Sequence, residues 1–166
     1  MTAFLGGLVQ FFIPTHLLAV VALGLLVGQG ARIPIAVGAF ALGLAAGSLV
    51  VASAVREMPA STALLILAAV IATLVVIGLK GPSLTSAAPA LAMGLALPIN
   101  APPHEITIAA AVASQAGFSA AALMTFGVTT AIAAHATRGW QRIGIRIVGS
   151  WIAASAILVL ALRVVR

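Results

Sequence analysis

The chain predicts an all-α fold: a polytopic transmembrane helix bundle of six spans, with residues 1–166 forming one integral membrane domain. Three observations carry that prediction. The mean hydropathy is +1.29. Only 8 Lys and Arg and 2 Asp and Glu occur in 166 residues, a charged fraction of 6% against about 25% in soluble domains. The apolar runs are also too long for strands, and they lack the strict alternation that a barrel with a polar lumen requires.

Each crossing needs about 20 apolar residues. The first span is read as 5–28 and the second as 33–55, with Arg32 and Pro34 marking the turn and proline sitting in the second helix's first turn. The third, 60–79, opens after Pro59 and closes at Lys80-Gly81-Pro82. The fourth, 83–98, is short and carries Pro89. Residues 98–104 hold Pro98, Pro102 and Pro103 and are expected to leave the helix, because proline removes a donor and its ring clashes with the preceding turn. The fifth span is read as 106–136 and the sixth as 144–164. Gly24 and Gly28, Gly43 and Gly47, and Ser114, Gly117 and Ala121 recur at spacings that let helices approach closely in lipid.

Six crossings put both termini on one side. That side carries Arg56, Arg163 and Arg166, and the other carries Arg32, Lys80, Arg138, Arg142 and Arg146. Positive-inside counting makes the latter cytoplasmic and the termini external. The first residues show no basic region and no cleavage site, so no removable signal peptide is expected. The expected location is a bacterial-type inner (cytoplasmic) membrane, with the lipid bilayer as the first partner. The pI of 12.0 does not imply nucleic acid, since the scattered basic residues form no binding stripe. Arg138, Arg142 and Arg146, around Trp140, read as an anchor among anionic headgroups. With no cysteine, disulfides, thiolate metal sites and thiol catalysis are excluded.

Titratable groups that hydrocarbon should exclude mark candidate sites. His16 lies about 16 Å into the first span, and His104 and Glu105 follow the proline-rich break on the same side. Imidazole suits nickel, copper and zinc. The candidate metal ligands are therefore His16, Asn100, His104 and Glu105, with Gln10, Thr15 and Gln115 behind them and the Met93 sulfur suited to Cu(I). Structural roles stand beside these. His16 could donate to a carbonyl freed by Pro14, His104 and Glu105 could be a solvated pair capping the fifth helix, and Gln115 could make an interhelical hydrogen bond. His135 belongs to the opposite face. No cofactor is implied beyond a transition-metal ion as substrate.

No enzyme is expected. Gly117-Phe118-Ser119-Ala120 resembles the serine motif of intramembrane rhomboid proteases without its closing glycine. The downstream His135 lies sixteen residues along the same helix, about 24 Å away, so no nucleophile–base pair forms.

The stretch H-L-L-A-V-V-A-L-G-L-L-V-G-Q at 16–29, the small-residue second helix, the short fourth helix before a His-containing break and the closing G-S-W-I-A-A-S-A-I-L-V-L-A-L helix resemble the HupE/UreJ family. These are small membrane proteins associated with nickel supply to hydrogenase and urease. The resemblance implies the helical bundle and a transition-metal (nickel-type) permease. Its first-helix signature pairs a His-Pro with a Ser-Gly and an Asp-His. Here His16 matches the last histidine, while Thr15 stands at the aspartate and Val9 at the first histidine. The second signature, Phe-His-Gly followed by a His-Gly pair, corresponds to Ile99-Asn100-Ala101 and His104-Glu105. With those companions missing, an alternative stands: a non-transporting accessory or structural subunit of a larger membrane protein complex.

Overall fold

The computed structural model describes residues 1–30, 32–52, 60–78, 84–103 and 107–164. Those residues form helices and their connections: α1 (Thr2–Phe11), α2 (Pro14–Gly28), α3 (Ile33–Ala52), α4 (Ala60–Ile77), α5 (Leu84–Asn100), α6 (Ile108–Ala134) and α7 (Gly139–Val164). Stretches long and apolar enough to cross a membrane occur in α3, α6 and α7, and α1 with α2 makes a fourth if that bent pair is one crossing. The apolar part of α4 is shorter, Thr62–Ile77. α5 has 17 residues, about 26 Å of helix, slightly less than the hydrocarbon thickness. Among the described residues the helix lengths therefore give three or four crossings, not clearly the six expected.

The expected first span is two helices. α1 and α2 meet at 68° across Phe12 and Ile13. In an unbroken helix the Gln10 carbonyl would accept from residue 14, but Pro14 has no N–H. Gln10 instead accepts from Ile13 at 3.4 Å, and Pro14 becomes the first residue of α2, where proline is best tolerated.

The fourth helix differs at its other end. It runs through Pro98 to Asn100, where a non-helical break was expected. Pro98 has no N–H to donate to the Gly94 carbonyl four places back, so the helix continues with that bond missing. The Pro98 ring lies over Gly47 of α3. Asn100 is consequently held on a helix end.

The last helix begins at Gly139, five residues before the expected 144. The Gln141 side chain accepts from the Arg138 backbone N–H at 3.0 Å, which is half of a capping box. Thr107 caps α6 by accepting from Ala110 N–H at 3.3 Å. The residue expected in that role, Glu105, lies outside the described residues. Thr107→Ala is expected to lower stability by about 1 kcal/mol, measured by thermal unfolding in detergent.

Glycines set which helices pair. A methyl group at Gly43 would stand 2.5 Å from the Leu91 carbonyl oxygen, and one at Gly47 would stand 2.6 Å from that of Leu95. The register rises on both helices, so α3 and α5 run parallel. Gly24 abuts Thr129 and Phe126, and Gly28 abuts Thr130 and Ala133, so α2 and α6 also run parallel. Gly149 abuts Val75, while Gly78 abuts Arg146, which makes α4 and α7 antiparallel. Gly7 and Gly117 bring α1 against α6 at Ser114 and Phe4.

The core between these pairs holds Phe11, Leu23, Phe40, Ile71, Met93 and Phe126. Large apolar side chains such as Leu49, Val70, Met124, Trp151 and Leu158 face outward, a surface consistent with lipid. The hydroxyls of Ser48 and Thr73 turn back onto the carbonyls of Leu44 and Ala69 at 2.8 Å each. They are satisfied locally and add nothing to a site.

Candidate functional site

The bend between α1 and α2 places His16 in the first turn of α2, at 3% exposure. Its Nε2 lies 2.9 Å from Asn100 Nδ2 at the end of α5. This contact joins residues 84 positions apart. Phe118 of α6 meets the imidazole edge-on at 5.5 Å, and Phe11 of α1 meets the same phenyl ring at 5.7 Å. Four helices thus meet here, α2 and α5 supplying the polar pair and α6 and α1 the aromatic wall beside it.

An amide N–H₂ can only donate, so with this assignment Nε2 accepts and the neutral ring carries its proton on Nδ1. Nδ1 is buried and has no hydrogen-bond partner, so the expected donation to the Gln10 carbonyl is not formed. On α6, one turn before Phe118, Gln115 is 8% exposed and its Nε2 is buried without a partner. A buried donor left unpaired costs about 1–3 kcal/mol, and such groups point to a role beyond packing.

Of the sequence-derived ligand set, the structure brings His16 and Asn100 together. His104 and Glu105 lie outside the described residues. Met93 is fully buried in the apolar core, while Gln10 and Thr15 are half-buried beside the break. Among the described residues, no three His, Cys, Asp or Glu side chains gather as a metal site. His135 ends α6 at the far side, its Nδ1 donating to the Ala131 carbonyl at 2.8 Å.

Chemically, the pair is a switchable polar contact. The Nε2 lone pair that a metal ion would use is taken by the Asn100 amide. Rotation of that amide about its last torsion would free the lone pair and turn Oδ1 toward the same point. An imidazole nitrogen and an amide oxygen would then face one cation. Sequence reasoning identified both residues but could not see the aromatic wall, because Phe118 and Phe11 are unremarkable members of apolar runs. No family model, curated protein or solved structure matches this chain.

Proposed function

We propose that the chain is a six-crossing membrane protein of HupE/UreJ type that passes a transition-metal cation of the nickel, copper or zinc class. His16 is the intramembrane ligand and Asn100 its partner, while His104 and Glu105 form the external mouth. The observation that carries this reading is the His16–Asn100 contact at a helix break. Transporters bind ions where helices are discontinuous near mid-membrane, because backbone released from the helix and polar side chains line the path there. The six-crossing topology is supported by helix direction. In an alternating path α2 and α6 run one way, α3 and α5 the other, and α4 opposes α7, as their glycine contacts do. In this topology both termini are external and the membrane is the bacterial inner membrane.

Proteoliposomes containing the purified chain and an internal metal-sensitive dye test the proposal. Uptake of Ni²⁺, Zn²⁺ or Cu⁺ above protein-free vesicles is expected. Asn100→Leu should reduce it about tenfold or more, the scale on which groups supporting a metal ligand act. No uptake of any of the three would sink the permease reading.

The closed state of the pair favours a second reading. With Nε2 occupied, His16 and Asn100 fasten α2 to α5 as a structural link, suited to an accessory subunit of a larger membrane complex. Under that reading the chain co-purifies with partners in mild detergent, and Asn100→Leu lowers its stability while transport is absent throughout.

A further inference from the structure

At the opposite end of the bundle from His16, α2, α4 and α6 end together against the start of α7. They enclose a cavity of about 380 Å³ whose lining includes Gln29, Gly78, Arg142 and Arg146. We propose that this cavity is a binding site for a phosphate-type oxyanion, either a phospholipid headgroup or a free phosphate compound.

Charge comes first. Arg142 and Arg146 lie one helical turn apart on α7 and both border the cavity. No acidic residue lines it. Two guanidiniums therefore share one cavity with no carboxylate among the described residues that line it. Guanidinium forks match phosphate oxygens in geometry and charge.

The site is also shaped for these groups. α4 ends at Gly78 in the left-handed conformation, φ +68°, as is common one residue beyond a helix. A methyl group at Gly78 would stand 2.7 Å from an Arg146 guanidinium nitrogen. Gly78 leaves room beside it for that guanidinium. A third donor is waiting: Gln29 Nε2 is buried and has no hydrogen-bond partner.

Helix C-termini favour cations and disfavour anions, so the guanidiniums could instead serve the helix ends. Two carbonyls at each of those ends are already met by backbone N–H groups. Gln29 and Gly30 N–H donate to Leu26 and Val27, Gly78 N–H donates to Leu74 and Val75, and His135 and Ala136 N–H donate to Ala131 and Ala133. The arginine and glutamine N–H groups are left to meet a ligand, and all are donors. The two guanidiniums, with Gln29 Nε2 beside them, make the side-chain donors that would meet an anion here.

The test is thermal unfolding of the full chain in nanodiscs, followed by the fluorescence of its tryptophans. In phosphatidylcholine nanodiscs, inorganic phosphate or pyrophosphate titrated against chloride at constant ionic strength reads a free anion site. Replacing part of the phosphatidylcholine by phosphatidylglycerol reads a headgroup site. A saturable rise in unfolding temperature with either probe is expected. R142Q/R146Q should weaken it about tenfold or more, R142K/R146K less, and R138Q, which does not border the cavity, not at all. If R142Q/R146Q does not fold, Gln29→Leu carries the test with a severalfold weaker response. The site is refuted by no response to either probe, by equal loss in R138Q, or by an unchanged response in Gln29→Leu.

Discussion

His16→Ala is expected to cut metal uptake into proteoliposomes at least about 100-fold, since groups merely orienting a metal ligand already account for 10–100-fold. The same substitution removes the acceptor for the Asn100 amide, 2.9 Å away, and opens a void beside Phe118. An unpaired buried donor costs about 1–3 kcal/mol, so the unfolding temperature should fall as well. His16→Gln separates the two effects. Glutamine can accept from Asn100 and fills much of the same space, but it is a poor ligand for transition metals. If His16 is a ligand, His16→Gln regains stability and stays transport-dead. If the pair only fastens α2 to α5, His16→Gln recovers everything that His16→Ala loses. Uptake unchanged in His16→Ala would rule out the ligand role.

The parts legible in the sequence were those encoded by composition and periodicity. All-helical structure and long apolar helices follow from hydropathy alone. His16 and Asn100 could be assigned to one side because six spans bring the break after the fourth to the N-terminal side, from which His16 lies about 16 Å in. What could not be read was set by contacts between distant segments. The 5–28 run has uniform hydropathy, which says nothing of direction, so the 68° bend was signalled by Pro14 alone. Pro98 was expected to end its helix, yet α5 continues to Asn100 where its turn is packed on Gly47 of α3. The glycine spacings at 24/28 and 43/47 announced close packing without naming α6 and α5 as the surfaces they meet. Likewise Arg142 and Arg146 read as a headgroup anchor. The cavity they border exists only because α2, α4 and α6 end together.

Gly43→Ala is expected to be among the most damaging small substitutions in the chain. The added methyl would stand 2.5 Å from the Leu91 carbonyl oxygen and 3.0 Å from Gly94 Cα. Both are backbone atoms, which cannot rotate away as a side chain would. The helices must separate, at or above the upper end of the 1–3 kcal/mol typical of overpacking. Gly38→Ala on the same helix is the control. Nothing lies within 4 Å of the added methyl there, and alanine is the better helix former by about 1 kcal/mol. Unfolding by SDS in mixed micelles should therefore show Gly43→Ala clearly destabilised and Gly38→Ala unchanged or improved; equal stability of the two would refute the α3–α5 packing. Gly94→Ala meets Phe40 O at 2.5 Å from the other side of the same contact, so the two glycines are coupled. Once one methyl has parted the helices, the second meets less resistance, and the double variant should cost less than the two singles added. The separation also reaches the polar pair, because Gly47 seats the Pro98 ring two residues before Asn100. A displaced α5 carries Asn100 off His16, so uptake should fall in Gly43→Ala although no ligand has been touched.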